Sequence, residues 1–355
     1  MSHLNRTFAI EGHRIGPDEP CYIIAEAGVN HNGDIATAIR LIDVAADSGA
    51  DAVKFQTFKA ELLATEFAPK AEYQSRLTGD QESQQEMLKR LELPYEHHAT
   101  LRNHCFKRGI TFLSTPFDEA SATFLSSLGV PAFKVSSGDL TNLPFLRHLA
   151  SFSIPVLIST GMGTMEEVEQ AVEALEKVGC RDIGIFHCVS CYPALPAESN
   201  LRAMDSLKQR FQAPCGYSDH TEGLEISVAA TALGASLIEK HFTLDRAMPG
   251  PDHQASLQPD ELALMIRMIR NTQSALGDGR KIPQPREADT AKVARKGVVA
   301  KRAIKMGQIL TADDLAVRRP EAGLRPDAIR YIPGKRASRP IAVGEPISAG
   351  DLIDD

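Results

Sequence analysis

The chain has 355 residues, with 39 Lys and Arg against 46 Asp and Glu for a formal charge of −7, and 43% of its side chains are apolar. No uncharged apolar run approaches the ~20 residues that span a bilayer, and the charged opening MSHLNRTFAIEGHRIGPDEP lacks the apolar stretch of a secretory signal. Six cysteines in so long a chain are too sparse for a disulfide framework, so the expectation is a cytoplasmic protein with reduced thiols and no membrane partner.

In chain order, short runs rich in apolar and β-branched residues alternate with longer stretches of helical period. The runs are CYIIAEAG (21–28), AVKFQTF (52–58), TFLSTPF (111–117), AFKVSSG (132–138), VLISTGM (156–162), IGIFHCVS (183–190), APCGYSD (213–219) and LIEKHFT (237–243). Between them IATAIRLIDVAADSG, DEASATFLSSLG, TMEEVEQAVEALEKVG and EGLEISVAATALG are amphipathic and end near a Gly, as a helix C-cap does. Eight strand–helix units predict an α/β fold, a (β/α)8 barrel over residues 1–280. An open doubly wound sheet fits less well, because no Gly-rich phosphate fingerprint follows the first strand. Residues 281–292 are rich in Pro and charge and read as a linker; residues 293–355 alternate short β-like pieces with tight turns, a small β-rich domain. Residues 286–339 hold 14 basic and 6 acidic residues. They have almost no aromatics to stack bases, so the expectation is a docking or solvated surface and no nucleic-acid partner.

The strand ends carry the chemistry. They hold Glu26, Asn30 and His31; Lys54 and Gln56; Ser114 and Thr115; Lys134, Ser137 and Asp139; Ser159 and Thr160; His187; Ser218, Asp219 and His220; and Glu239, Lys240 and His241. In a barrel these ends form the rim where catalysis sits, which points to an enzyme. His220 and His241 end consecutive strands, ~5 Å apart, so both imidazoles reach one divalent ion and leave its shell open for substrate oxygen. His187 is either a third ligand or core, and Asp219 orients a neighbouring histidine. Cys188 and Cys191 lack a second pair for zinc and read as barrel packing. Lys54 and Lys134 among the hydroxyls of Thr115, Ser137, Ser159 and Ser218 suit a phosphate or carboxylate cradle; a Schiff-base lysine stays open. Glu26, Asp139 and Asp252, the last in the loop MPGPDH (248–253), are the spare carboxylates.

The segments IIAEAGVNHNG, AVKFQTFKAELL, APKAEYQ, FLSTPFD, PAFKVSSGD, ISTGM, GYSDHTEG, EKHFTLD and MPGPDH together resemble the bacterial sialic acid synthase family. VARKGVVAKRAIKMGQILTADDLAVRRP resembles that family's C-terminal antifreeze-like (SAF) domain. The resemblance implies a metal-dependent condensation of phosphoenolpyruvate with an N-acylated hexosamine, releasing phosphate. It makes His220 and His241 the ligands of Mn²⁺, with Mg²⁺ or Co²⁺ as alternatives, and gives phosphoenolpyruvate to Lys54, Thr115, Lys134, Ser137, Ser159 and Ser218. Gln56, Tyr192 and Asp252 contact the sugar, and Arg319 reaches its N-acyl group from the partner of a homodimer with swapped C-terminal domains. Glu26 and Asp139 join the two histidines as catalytic residues; the family usually has Glu where this chain has Asp139. N-acetylmannosamine is the expected acceptor. A diacetamido-trideoxyhexose, as in legionaminic or pseudaminic acid synthesis, would leave nearly the same motifs, with residues 59–85 supplying specificity. A Schiff-base pyruvate aldolase is the more remote reading, and a carbohydrate-binding protein without activity the furthest.

Overall fold

The computed structural model describes residues 4–78 and 82–354. Two compact units divide between Gly277 and Asp278. The first opens with a hairpin, β1 (Phe8–Ile10) and β2 (His13–Ile15), turned at Glu11 and Gly12, both at left-handed φ (48° and 86°). That backbone suits glycine, and three-residue strands are too short to stand out by alternation.

Eight parallel strands then close a barrel: β3 (Tyr22–Gly28), β4 (Ala52–Thr57), β5 (Thr111–Pro116), β6 (Phe133–Val135), β7 (Val156–Ser159), β8 (Ile183–Cys188), β9 (Cys215–Asp219) and β10 (Leu237–His241). Pairing of β10 with β3 closes the ring, with His241 opposite Glu26. The strands are shorter than the apolar runs suggest. In 132–138 only Phe133–Val135 is strand, and Ser136 turns the chain by accepting the Gly138 N–H (3.1 Å).

Successive side chains point to opposite faces. One set fills the helix layer, where Ile23, Val53, Phe55, Phe133, Ile158, Ile185 and Tyr217 pack on the surrounding helices. The other set points inward: Tyr22, Ile24, Leu113, Leu157, Phe186 and Leu237 pack with Phe8, Ile10 and Ile15, so the hairpin plugs the barrel's N-terminal end. Four of the helices correspond to the amphipathic stretches: Ile35–Asp47, Glu119–Leu128, Met165–Glu176 and Glu225–Ala232. Asp34, Asp118 and Thr164 cap three of them by accepting an N–H of the first turn. Between β4 and β5 the chain makes helices Ala60–Leu63, Glu72–Thr78, Gln84–Leu91 and Tyr95–Arg108; of the 59–85 stretch, residues 79–81 lie outside the described residues. No helix among the described residues is long and apolar enough to cross a membrane.

The second unit begins at Asp278, three residues before the expected linker, and a short helix, Ala288–Ala294, runs from that linker into the small domain. Its strands β11 (Gly297–Ala300) and β12 (Leu315–Arg318) pair antiparallel, as do β13 (Arg336–Ala337) and β14 (Leu352–Ile353). The two pairs are halves of one repeated motif. Ile304 bridges Ile341, Val299 bridges Pro346 and Ile309 bridges Arg336, so equivalent positions exchange across a pseudo-twofold axis. Each half folds over its own Asp: Arg302 and Thr311 donate to Asp314, and Arg339 and Ser348 to Asp351. Val298, Ala300, Ile304, Leu310, Ile332, Ile341 and Ile347 fill the shared core.

Candidate active site

Above the apolar plug the inward residues turn polar and surround a cavity of about 410 Å³ at the C-terminal rim. Glu26, Lys54, Gln56, Thr115, Lys134, Ser137, Ser159, Tyr192, Ser218, His220 and His241 all line it. Asp139, Asp252 and Arg319 do not. Asp139 accepts from Asn142 Nδ2 (3.2 Å) in the turn after β6, and burial raises its carboxyl above the ordinary range. Asp252 is buried in a loop braced by Asn30, which donates to Ser256 Oγ (2.9 Å), and by Asn32, which donates to the Pro249 carbonyl (2.9 Å). Burial pushes its carboxyl up to about 6. Arg319 is exposed in the second unit.

Glu239 also lines the cavity, and sequence reasoning did not assign it a role. The signal was available in the strand period, since with His241 inward Glu239, two residues earlier, must point inward too. Its carboxylate accepts from Ser218 Oγ (2.8 Å) and lies 3.3 Å from Lys134 Nζ and 3.7 Å from Lys54 Nζ. Lys54 also pairs with Glu26 (2.8 Å) and donates to Thr115 Oγ1 (2.9 Å), and Lys134 donates to Ser159 Oγ (2.5 Å). Two buried ammoniums thus face two buried carboxylates, in different environments. Burial drives the Glu26 carboxyl up, and the charge of Glu239 adds to it against the pull of Lys54. Burial would raise Glu239 as well, but Lys134 and Lys54 together hold it below the usual range. For Lys54 burial opposes the charge, yet Glu239 and Glu26 outweigh it and raise the ammonium; Lys134, with less compensation, is lowered by burial.

His220 and His241 stand with ring centroids 5.7 Å apart, and the Tyr192 ring lies 4.3 Å from the first and 5.8 Å from the second. A carbonyl only accepts, so the 2.7 Å bond to Val189 O puts the His220 proton on Nδ1 and leaves a lone pair on Nε2. Nδ1 of His241 is buried without a hydrogen-bond partner. Burial lowers both imidazoles, which keeps them neutral, the form that binds a metal. The pair therefore fits a divalent cation with two protein ligands; among the described residues no group of three or more His, Cys, Asp and Glu is placed to hold one.

Of the two readings of His187 the core one holds: it faces the helix layer, bonds Ser199 O (2.9 Å) and packs on the Tyr217 ring. Two expectations need correction. Asp219 orients neither histidine ring; it points away from the cavity and pairs with Lys240. Cys188 is buried against Ser137 Oγ (3.2 Å), but Cys191 is exposed on the loop beyond β8 and packs in no barrel core.

Glycines admit the backbone where the site is crowded. Gly28 has φ 55°, and a Cβ there would meet Glu26 Oε1 and His241 Cε1, both at 3.4 Å. A Cβ on Gly161, whose N–H donates to Ser137 Oγ (3.0 Å), would collide with Ser190 Oγ. Ala71, Gln74 and Gln84, from the long β4–β5 connection, close one side of the cavity.

Known proteins are similar to this chain in sequence and fold. The NeuB family profile matches residues 41–281 and the SAF domain residues 295–353. An N,N'-diacetyllegionaminic acid synthase of Campylobacter jejuni is 49% identical, over 87% of this chain and 92% of its own. An enzyme of the same name from Legionella pneumophila is 43% identical, over 93% and 94%. Among solved structures, an N-acetylneuraminic acid synthetase from Leptospira borgpetersenii, crystallised with citrate, superposes with a TM-score of 0.71 at 34% identity, covering 82% of this chain and 96% of its own. This chain belongs to the NeuB family of phosphoenolpyruvate-dependent nonulosonate synthases, transferases that here carry a SAF domain after the barrel.

Proposed function

We propose that the protein condenses phosphoenolpyruvate with an open-chain diacetamido-trideoxyhexose to give a legionaminic-type nonulosonic acid and phosphate. The observation that carries the chemistry is the pairing, in one cavity, of two buried lysines ringed by hydroxyls with two neutral imidazoles 5.7 Å apart. The finer choice of sugar rests on the two legionaminic acid synthases at 49% and 43% identity. N-acetylmannosamine, the acceptor first expected, is the second reading, supported by the likeness to the Leptospira synthetase.

Lys54 and Lys134 hold the phosphate and carboxylate of phosphoenolpyruvate, with Thr115, Ser137, Ser159 and Ser218 donating around them. C3 of the enolpyruvate attacks the sugar aldehyde carbon, and water adds to the resulting cation at C2. Glu26, its carboxyl raised by burial, takes one water proton and returns it to the alkoxide formed from the aldehyde. The tetrahedral adduct expels phosphate by C–O cleavage, the C2 hydroxyl proton leaving with the phosphate. His220 and His241 would hold Mn²⁺, or Mg²⁺ or Co²⁺, which supplies polarisation of the aldehyde oxygen. Gln56 and Tyr192 contact the sugar from the cavity lining. The small unit works in a homodimer, the partner subunit's Arg319 reaching the N-acyl group.

The test is phosphate release from phosphoenolpyruvate and Mn²⁺ with a panel of acetamido sugars. Turnover with the diacetamido-trideoxyhexose at the highest kcat/KM supports the proposal, whereas preference for N-acetylmannosamine selects the second reading. ¹⁸O in the bridging oxygen must leave with phosphate; its retention in the sugar acid rejects C–O cleavage.

A further inference from the structure

The alternation that sends His220 and His241 into the cavity sends Asp219 and Lys240 to the opposite face, where each is at most 1% exposed. They are register partners on β9 and β10, with Lys240 Nζ 2.9 Å from Asp219 Oδ2. Most of the pair's further bonds tie down the chain around the histidines. Asp219 Oδ1 accepts the N–H (2.9 Å) and the hydroxyl (2.7 Å) of Thr221, and Lys240 Nζ donates to the Thr221 carbonyl (2.6 Å). Ser227, on the following helix, donates to Asp219 Oδ2 (2.6 Å). Both neighbours of His220 are thereby fastened to the residue that precedes His241.

We propose that Asp219 and Lys240 are positioning residues, a clamp behind the sheet that sets the spacing of the two histidines and so the affinity of the site for a divalent cation. The inference rests on the reading that His220 and His241 hold that cation. The His241 ring needs such support: His220 is aimed by its bond to Val189 O, but His241 Nδ1 has no partner, so its aim depends on the backbone of β10. An interior ion pair is seldom a good route to stability, because desolvation offsets the attraction. Its placement one residue before both ligands gives it a use that packing alone would not. Residues bonded directly to a metal ligand typically change affinity about 10- to 100-fold when replaced, and a clamp acting through the backbone should reach the lower end of that range.

The experiment titrates Mn²⁺ alone into the full chain by calorimetry, with phosphoenolpyruvate affinity measured separately without metal and folding checked by circular dichroism. Lys240→Met leaves Asp219 buried and unpaired and tests the clamp most severely; Asp219→Asn with Lys240→Met removes both charges and keeps an acceptor for Thr221. Ser227→Ala is the mild variant that remains informative if the others do not fold. The expected result is a loss of Mn²⁺ affinity of about 10-fold or more in the double variant and a smaller loss in Ser227→Ala. Phosphoenolpyruvate affinity should change less than about threefold, since Lys54 and Lys134 keep their partners. Mn²⁺ affinity equal to that of the unaltered chain in every folded variant overturns the clamp. Failure of the unaltered chain to bind Mn²⁺, or equal binding by His241→Ala, overturns instead the metal reading on which it rests.

Discussion

Both units bury carboxylates, and at Glu26 and Asp252 the barrel does so to an effect opposite to that in the small unit. In the small unit Asp314 takes Arg302, Gln308 and the hydroxyl and N–H of Thr311, and Asp351 takes Arg339 and the hydroxyl and N–H of Ser348. Burial pushes both carboxyls up, but those donors outweigh it and hold them below the ordinary range. In the barrel Glu26 shares one lysine with a second carboxylate, and burial leaves Asp252 raised with nothing to offset it. A carboxylate whose donors are complete closes a turn and has nothing left to offer. One whose donors are shared or missing is costly in the resting fold and is free to act on a ligand.

The sharpest way to break this contrast is at the histidines, where the barrel leaves a buried ring nitrogen unpaired. His241→Ala should lower kcat by about 10³-fold or more, the loss of several kcal/mol of carbonyl activation, while circular dichroism stays that of a folded barrel. Retained turnover would remove His241 from the chemistry. Lys134→Met should act less severely, lowering kcat/KM for phosphoenolpyruvate about 100-fold, mainly through KM, because Lys54 remains to hold the anion.

Much of this was legible in the sequence. The barrel follows from apolar runs of strand length separated by helices that end in Gly, and eleven of the fourteen residues assigned to the site line one cavity because strand ends converge on one rim. What escaped lies at one-residue resolution or below strand length. Asp219, Lys240 and His187 stand beside inward residues but face the helices, a distinction fixed by pleat and register rather than by residue type. Glu239 was hidden for the same reason, being one of three polar residues in a row. The plugging hairpin has strands of three residues, too few to show a period, and Asp139 and Asp252 sit on loops whose path no periodicity dictates.

Asp252 gives a third test, of stability against pH. Its carboxyl ordinarily titrates near 3.8 and in the fold at about 6, so folding takes up a proton between those values. The stability it contributes is therefore fully present below pH ~4, falls as pH rises through 6, and is flat above; the cost at pH 8 reaches about 3 kcal/mol at most. Asp252→Asn should raise the melting temperature at pH 8 and leave it unchanged at pH 4. An equal shift at both pH values would show that the gain comes from packing rather than ionisation.

The smallest effect tests how nearly equivalent the two halves of the small unit are. Arg302 and Arg339 occupy matching positions, each donating its Nε to the buried Asp of its half. Both guanidiniums are well exposed, so each pair is screened and each substitution by Ala should cost little. The costs should nevertheless differ. Where the first half has Gln308, which itself donates to Asp314 (3.3 Å), the second has Glu345, which pairs with Arg339 at 2.7 Å. Removing Arg302 leaves Asp314 three donors and no new repulsion, whereas removing Arg339 leaves two carboxylates facing each other without their shared cation. Arg339→Ala should therefore lower the melting temperature more than Arg302→Ala, and added salt should narrow the gap by screening the Glu345–Asp351 repulsion. Equal shifts at low salt would mean that Glu345 swings clear into water and that the halves are energetically alike despite the exchange of an amide for a carboxylate.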